Sequence, residues 1–532
     1  MPRVLDRADI QGNVIRSYRF PKARYLFLHI DSEKAGRRFV EAIRPRITTD
    51  EPWTVKSHSD GKAEKPKVTF NLAINFYGLI ALGLPTSTLR DLPSEFIDGM
   101  AARAGILGDD FPGGDGLKKW DPVWRESDGA CKVHMLVSLN AQMSPDGTAV
   151  PELAGATQWV IDQCAKGGMR ILEGHGSGRA PYQDSSVLLV HQPDGTAVAT
   201  PKEHFGFTDG FGDPAFEGQY PAEAEMEDAV GGGKIRPDQT WAPLATGEFL
   251  LGYPDEAQET PPAAMPFSLT RNGTFMAYRK LHQNVASFHE CISKTARDYA
   301  ATHRVSADQA NEIVRAKMVG RWSNGVPLLA APTWDAWQAF NAEEARARAS
   351  GNPSAIGDIE RRYVDFKYRS DSEGAKCPLT AHLRRANPRD MLDPAGPHSK
   401  SPNGSVLNNR RRILRRGLPY SPTPTPLALD DSTEQGIIFI ALCASLFRQF
   451  EFVQQQWIQY GLDFRAGNDT CPLIGNHGKG ARFVIPGDPA ANTDPFVCDG
   501  LPQFVEMRGG DYFFVPSLTA LRLIGMGIVD PT

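Results

Sequence analysis

Short β-rich stretches alternate with long helical windows along this chain, and this alternation is the strongest limit on its fold. The stretches have strand length and are rich in β-branched and aromatic residues, whereas the windows between them suit helices of several turns. Because the pattern occurs in two similar sets, it predicts two α+β halves with antiparallel sheets. The β-rich stretches are 23–30, 67–76, 132–139, 185–192, 273–281, 436–444 and 511–518. The helical windows are 33–47, 150–167, 281–303, 306–320 and 444–461.

The composition agrees with a globular chain and argues against other classes of protein. At 532 residues the chain is long enough for two or more domains with sizeable cores. A net charge of -5 and a pI near 6.2, without a basic stripe, give no case for a nucleic-acid partner. No apolar run is long enough to span a membrane, and the start MPRVLDRADIQG lacks a secretory profile. We therefore expect no membrane partner and a cytoplasmic location.

The segment HFGFTDGFGDPAFEG, residues 204–218, presents one carboxylate, Asp209, in a turn rich in glycine and phenylalanine. Gly206 and Gly210 allow a tight turn or the close approach of a bulky ligand, which a side chain would hinder. An aspartate before a glycine is common in ordinary turns. A lone acid against apolar walls is also a candidate proton carrier. The segment by itself leaves both interpretations open.

A second block, residues 377–420, offers partners for such an acid. Its first half, CPLTAHLRRANPRD, holds one histidine, His382, in a short helical run bounded by prolines. Its second half, RRRILRRGLPY, packs arginines around two apolar residues. Charge alone fits a solvated face, a phosphate-binding patch or a catalytic cation.

Taken in order, GFTDG, AHLRRANPR and ILRRG resemble the dye-decolourising peroxidases, a family of haem b enzymes. Further stretches match the family in the same order over most of the chain. The resemblance implies one haem b per chain, hydrogen peroxide and aromatic reductants such as dyes and phenols as partners, and a monomer or homodimer. The further stretches are DIQGNVIRSY, ARYLFLHI, GEFLLGYPDE, RNGTFMAYRKLHQNV, MVGRWSNGVPL, ALCASLFRQFEFVQQQW and GGDYFFVPSLTALRL.

The resemblance also implies the fold and its division into domains. The family has two ferredoxin-like domains of the dimeric α+β barrel type, each with an antiparallel sheet flanked by helices. We place the first at residues 1–220, ending in the GFTDG loop, and the second, which would bind the haem, at 241–532. Two stretches rich in polar residues and glycine, 223–240 and 391–409, indicate surface insertions. Such insertions are typical of the larger, elaborated branch of the family.

Carried over position by position, the resemblance makes His382 the axial iron ligand. An imidazole binds iron through one nitrogen while an acceptor anchors the other. The family uses a late acidic side chain as that acceptor, which suggests Asp469, although Cys471 stands directly before PLIG where the family has the acid. The other haem-contacting residues that the resemblance implies are Gly206, Gly210, Ile440, Leu442 and Arg384, the last at a propionate. Plain sheet core remains the alternative for Ile440 and Leu442, and a surface salt bridge the alternative for Arg384.

The resemblance assigns Asp209 and Arg415 to the distal side of the haem. Hydrogen peroxide must lose a proton from one oxygen and receive a proton on the other, which leaves as water, so one group has to carry it. Asp209 suits that role, and Arg415 supplies a fixed cation for the charge that develops as the O–O bond breaks. Because an ordinary aspartate has a pKa of about 3.9, we expect an acidic optimum for dye oxidation.

Several alternatives stay open at this level. One rival function is a haem-handling or iron-releasing protein with incidental peroxidase activity, and another is a cofactor-free ferredoxin-like binding module. His204 and Cys377 are competing iron ligands, although His204 takes the family's position for a structural histidine. The seven cysteines have no CxxC spacing, which argues against a zinc site. The sequence singles out no tryptophan or tyrosine as an electron relay, no physiological reductant and no manganese site.

Overall fold

The structure is a computed structural model that describes residues 5–53, 65–111, 114–125, 132–176, 180–221, 224–260, 263–423, 430–487 and 493–528. Its strands are β1 (Lys22–Ile30), β2 (Val68–Ile74), β3 (Met135–Ala141), β4 (Met169–Ile171), β5 (Gln183–Ser186), β6 (Leu189–His191), β7 (Ala197–Ala199), β8 (Lys234–Ile235), β9 (Trp241–Ala242), β10 (Thr274–Gln283), β11 (Leu414–Tyr420), β12 (Gly436–Cys443), β13 (Arg482–Ile485), β14 (Phe496–Asp499) and β15 (Val505–Val515).

Helices connect and cover these strands. The α-helices are α1 (Gly12–Ile15), α2 (Glu33–Ile43), α3 (Phe76–Ala81), α4 (Thr86–Leu89), α5 (Ser94–Asp98), α6 (Ala104–Leu107), α7 (Pro122–Arg125), α8 (Pro151–Ala165), α9 (Glu225–Asp228), α10 (Phe267–Thr270), α11 (Val285–His303), α12 (Ala307–Val319), α13 (Trp334–Ser350), α14 (Pro353–Val364), α15 (His382–Ala386), α16 (Val406–Asn409) and α17 (Leu518–Met526). Two π-helical turns follow β12, at Leu446–Glu451 and Val453–Ile458. In the described part of the chain, none of the helices has the length and apolarity that a membrane crossing requires.

Nine strands form one antiparallel sheet in the order β11-β12-β10-β15-β2-β3-β1-β4, with β5 paired to β1. Strands of the first half and strands of the second half meet at one pairing, where Phe514 of β15 lies opposite Ile74 of β2. The predicted α+β class with antiparallel sheets is confirmed. The division at residues 220 and 241 stays a prediction.

The central strand β10 shows how the sheet supplies side chains to a site. Its alternate residues Phe275 and Ala277 pack in the buried core of the molecule. Farther along the strand, alternate positions point the same way, and there Arg279, Leu281 and Gln283 line a large cavity. One face of β10 therefore changes from core to cavity wall along its length.

Most predicted elements are present, and two differ. The predicted windows 281–303 and 306–320 contain α11 and α12, and α12 begins at a capping box formed by Ser306 and Gln309. The predicted strand 185–192 is divided between β5 and β6. The predicted window 444–461 forms π-helical turns rather than an α-helix. Apolar spacing does not reveal this difference, because a π-turn adds only one residue to each turn.

Candidate functional site

A cavity of about 660 Å³ lies where segments far apart in the sequence meet. Its lining comes from β10, β11, β12 and β15, from α15 and the second π-helical turn, and from the GFTDG segment. Asp209, His382 and Arg415 all line this cavity. The structure therefore brings together the three residues to which the sequence assigns the chemistry.

The GFTDG turn has the backbone conformation that its glycines predict. Gly206 has a φ of 87° and Gly210 a φ of 93°, values that residues with a Cβ rarely adopt. The backbone N–H of Gly210 donates to Oδ1 of Asp209 at 2.6 Å, and the Thr208 hydroxyl donates to the carbonyl of Ser323 at 3.1 Å. The turn therefore fixes the position of the Asp209 carboxylate. Gly210 lines a neighbouring cavity, and Gly206 lines neither of the two.

Glu203 anchors the same turn and was not predicted from the sequence. Its carboxylate accepts hydrogen bonds from the backbone N–H groups of Phe205 and Phe207, both at 2.9 Å, and from the Gln283 side chain at 2.7 Å. Burial raises the pKa of Glu203, although these donors oppose the shift. The position of Glu203 just before the turn is the signal that could have identified it.

Asp209 and Arg415 face each other across 3.9 Å, measured from Oδ1 to Nη1. Arg415 also donates through Nη2 to the carbonyl of Phe211 at 2.6 Å, which ties the cation to the turn that carries the acid. The Asp209 side chain is 64% exposed, so the expected apolar walls around it are wrong. Phe205 stacks on Phe288 instead of covering the carboxylate.

His382 opens α15 and lines the cavity. Its Nδ1 lies 3.3 Å from the sulfur of Cys471, and its Nε2 makes no hydrogen bond within the described ranges. Burial raises the pKa of the Cys471 thiol, but the neighbouring His382 and Arg385 outweigh that effect and hold the pKa below its ordinary value. The sulfur therefore lies in an electropositive surrounding that favours it as an acceptor.

The expected acceptor, Asp469, is wrong. Its carboxylate pairs with Arg482 at 3.2 Å, and its carbonyl accepts a hydrogen bond from Arg385 at 2.7 Å. The loop turns the side chain of Cys471, two residues later, toward His382. The sequence held a signal for this contact, because Cys471 stands directly before PLIG, where the family that the sequence resembles has the acid.

Arg384 also lies elsewhere than expected. Its side chain is fully buried, it pairs with Asp371 at 2.9 Å, and it donates to the carbonyl of Cys377 at 2.7 Å. It does not line the cavity, and the salt bridge that it forms is buried, whereas the alternative places a salt bridge at the surface. On a helix as short as α15, His382 and Arg384 point in different directions because they are only two residues apart.

Four other arginines that line the cavity form no ion pair within the residues that the structure describes: the buried Arg321, Arg389 and Arg412, and the half-buried Arg411. Within the same residues, Arg321, Arg389 and Arg412 donate only to backbone carbonyls. Burial lowers the pKa of Arg321 and of Arg389 to about 10 and that of Arg412 to about 9, and neighbouring cations add to the effect at Arg321 and Arg412. Nη2 of Arg412 is buried without a hydrogen-bond partner in the same ranges. Such a group is costly unless it is paired, so this part of the cavity suits an anionic ligand.

The large cavity is lined by the face of β12 opposite to the one that carries the expected residues Ile440 and Leu442. Arg415 pairs with Ala441, and the residues of β12 that line the large cavity are Ile437 and Phe439. Leu442 is fully buried in the core, which confirms the sheet-core alternative for it. Ile440 lines a second cavity of about 290 Å³. The physical reason is the period of two, because an error of one residue moves every side chain to the other face.

The smaller cavity lies beside the larger one. Both are lined by Glu203, Asp209, Arg415, Ile437 and Phe439. The acid and the cation are therefore accessible from both spaces. The pair lies where a small molecule in either cavity can reach it.

Neither of the competing iron ligands, His204 and Cys377, lines the large cavity. His204 is buried, and its Nε2 bonds the carbonyl of Tyr420 at 3.0 Å. Cys377 is fully buried, and burial raises the pKa of its thiol to about 11. Over the ranges described, no group of three or more His, Cys, Asp or Glu side chains could hold a bare metal ion. Cys131, one of the seven cysteines, lies outside the described residues.

The comparisons with known proteins agree with this geometry. A family model for the DyP dimeric alpha+beta barrel domain matches residues 9–145. Peroxidase 2 of Mycetinis scorodonius is 28% identical over 97% of this chain and 87% of its own length. The dye-decolorizing peroxidase of Mycena epipterygia is 27% identical over 98% of this chain and 87% of its own length.

Solved structures show the same fold. An ancestral D-type dye decolorizing peroxidase has a TM-score of 0.71 at 23% identity, covering 98% of this chain and 99% of that chain. A fungal DyP-type peroxidase from Auricularia auricula-judae has a TM-score of 0.70 at 22% identity, covering 99% of this chain and 100% of that chain. The chain thus contains a DyP dimeric alpha+beta barrel domain at residues 9–145 and is similar over nearly its whole length to dye-decolourising peroxidases of the larger, elaborated branch.

Proposed function

We propose that this chain is a haem b peroxidase that uses hydrogen peroxide to oxidise dyes, phenols or other aromatic reductants. The observation that carries the proposal is the single cavity that unites His382 with the Asp209–Arg415 pair. The matched DyP domain supports it, and so do the names of the similar fungal proteins, which are dye-decolorizing peroxidases.

The residues of the cavity fit a haem b molecule. His382 offers Nε2 to iron while Nδ1 is held by Cys471. Arg321, Arg389 and Arg412, which form no ion pair within the described residues, suit the two carboxylates of haem. A haem carboxylate would supply the hydrogen-bond partner that the buried Nη2 of Arg412 lacks in the same residues. A volume of about 660 Å³ is of the size that cofactor sites have.

Bound haem would supply the redox chemistry of its iron, and the protein would supply the ligand, the proton carrier and the fixed charge. Oδ1 of Asp209 is occupied by the Gly210 N–H, which leaves Oδ2 for a proton. Asp209 would accept that proton from one peroxide oxygen and return it to the other, which leaves as water. Arg415, tied to the carbonyl of Phe211, would stabilise the negative charge that develops on the leaving oxygen.

Reductants too large for the cavity need another contact point, and a group of tryptophans provides one. The buried Trp322 lines the cavity and stacks on Trp337 with ring centroids 4.6 Å apart and planes 4° apart. Trp334 lies 5.3 Å from Trp337, and both are partly exposed. We propose that bulky dyes give up electrons at this tryptophan group, whereas small phenols enter the cavity.

The test uses Asp209→Asn and Arg415→Leu in purified protein with measured haem content. Steady-state oxidation of a dye and of a phenol should fall by about 10²- to 10⁴-fold in Asp209→Asn, because loss of an acid–base group has that effect. Asp194→Asn is the matched control, because Asp194 bonds Thr196 in an exposed turn and lines neither cavity.

Unchanged turnover in both variants, with haem retained, would contradict the assigned roles. It would instead favour the rival function, a haem-handling or iron-releasing protein in which peroxidase turnover is incidental. Absence of a Soret band in the purified wild-type protein after haem addition would contradict the proposal as a whole.

A further inference from the structure

The sulfur of Cys471 is the hydrogen-bond partner of the candidate iron ligand His382. Nδ1 of His382 lies 3.3 Å from Sγ, and the His382 ring makes no other hydrogen bond within the described ranges. Cys471 is fully buried, so water does not compete for its sulfur. We propose that Cys471 is a positioning residue that accepts the Nδ1–H bond of His382 and thereby sets how strongly the ring donates electrons to haem iron. This inference rests on the proposed function, because it requires haem bound through His382.

The direction of the hydrogen bond follows from the chemistry of the ring. A neutral imidazole that binds iron through the lone pair of Nε2 carries its proton on Nδ1. Nδ1 is then a donor, and the partner must be an acceptor. Sulfur can accept, but it does so more weakly than a carboxylate oxygen.

The protein holds this contact rigidly from both sides. The backbone N–H of Cys471 donates to the carbonyl of Ile458 at 2.7 Å, and the carbonyl of Cys471 accepts from Nε2 of His477 at 2.9 Å. On the helix of His382, Arg385 donates to the carbonyls of Trp457 and Asp469 at 3.0 and 2.7 Å. The guanidinium of Arg385 therefore joins the helix of the ligand to the loop of the sulfur.

A carboxylate near this position is already engaged. Asp469 points to Arg482, with its Oδ1 3.2 Å from Nε, and its side chain is 21% exposed. It cannot serve His382 without giving up that pair. The protein thus places a sulfur behind the ring and keeps the carboxylate of the same loop away.

The electronic consequence can be measured without turnover. A strong acceptor on Nδ1–H makes the imidazole more basic, stabilises ferric iron and lowers the reduction potential, and a weak acceptor does the opposite. Loss of the sulfur should therefore raise the Fe(III)/Fe(II) potential. Replacement of the sulfur by a carboxylate should lower it.

The experiment compares Cys471→Ala, Cys471→Asp and wild-type holoprotein by spectroelectrochemistry and by the iron–histidine stretching frequency of the ferrous form. We expect the potential to rise in Cys471→Ala and to fall in Cys471→Asp, and the stretching frequency to change in the opposite sense. Cys498→Ala removes a second buried sulfur of the same core cluster, and Asp469→Asn removes the carboxylate of the same loop. Both controls should keep the potential and the frequency of the wild type.

The expected order of reduction potentials, from lowest to highest, is Cys471→Asp, wild type and Cys471→Ala. Any other order, in protein that binds haem through His382, overturns the inference. If Cys471→Ala does not fold, Cys471→Val replaces it, because valine fills the space of the sulfur without offering an acceptor and should raise the potential in the same way. Retention of the axial ligand signature in His382→Ala would show instead that the proposed function is wrong. The two failures are therefore distinguishable.

Discussion

Asp209, the proposed distal acid, keeps 64% of its side chain exposed on a glycine turn, whereas Cys471, on the proposed proximal side, is fully buried beside His382. Backbone groups close in sequence fix the distal carboxylate, with the Gly210 N–H as its direct donor. The proximal sulfur is fixed by residues from separate segments, among them Ile458 and His477. The carboxylate of Asp209 is therefore held by its own turn, whereas the contact between the sulfur of Cys471 and His382 depends on packing between distant segments.

The largest expected effect tests whether the proximal side holds the cofactor. In His382→Ala the cavity loses its candidate iron ligand, and the described residues offer no metal-binding cluster to replace it. We expect loss of the Soret band after gel filtration. His303→Ala, at the end of α11, should keep the wild-type haem content. Full haem binding by His382→Ala would mean that the proximal side does not depend on this histidine.

The next effect separates an arginine that serves a ligand from one that serves the fold. Arg412→Met removes a cation with an unpaired Nη2, so haem affinity should fall about 10- to 100-fold, equivalent to one charged hydrogen bond. Arg384→Met leaves the buried Asp371 without its partner, so the free energy of unfolding should fall by about 3–5 kcal/mol. Haem titration and urea unfolding measure the two effects. A loss of stability in Arg412→Met together with a loss of haem affinity in Arg384→Met would contradict this distinction between the two arginines.

A smaller effect is expected at Glu203, which anchors the turn of Asp209 and makes the stability of the protein depend on pH. Burial raises the pKa of Glu203 above its ordinary value of 4.5, so its contribution to stability is present below that pH and is lost as the pH rises through the raised pKa. Glu203→Gln does not titrate. The stability difference between wild type and variant should therefore decrease above pH 4.5, by at most about 1.4 kcal/mol per pH unit.

Thermal unfolding from pH 4 to pH 8 measures this difference, with Glu343→Gln, an exposed glutamate in a surface pair, as the control. The control should show no comparable slope. A difference between wild type and Glu203→Gln that stays constant with pH would contradict a proton-linked anchor.

The smallest expected effect tests the tryptophan group. Trp337→Phe interrupts the stack on Trp322, so oxidation of a bulky dye should fall severalfold while oxidation of a small phenol stays unchanged. Trp159→Phe is the control, because the ring contacts of Trp159 are with Phe39, Phe70 and Arg46 and it lines neither cavity. Equal loss for both substrates would place the effect in the cavity rather than at the surface.

The sequence predicted the fold class because the alternation of strand-length and helix-length stretches is a local property. The antiparallel sheet and the helices α11 and α12 follow from such spacing. The edge-to-edge union of the two halves, through Phe514 and Ile74, rests on a contact between residues far apart in the chain. No periodicity reports a contact of that kind.

For the candidate site, the sequence by itself determined the residues that sit in compact motifs. Asp209 between its glycines, His382 in AHLRRANPR and Arg415 in ILRRG were all identified there, and all three line one cavity. Motif residues are local, because the backbone near them fixes their side chains.

Only the tertiary structure decided the partners of these residues. It places Cys471 rather than Asp469 beside His382, and it turns Ile437 and Phe439 of β12 toward the large cavity. It also pairs Arg384 with Asp371, whereas Nη2 of the cavity-lining Arg412 has no hydrogen-bond partner in the described residues. The physical reason is common to these cases, because which side chain faces a cavity depends on strand register and on loop packing. Both are set by contacts with distant segments.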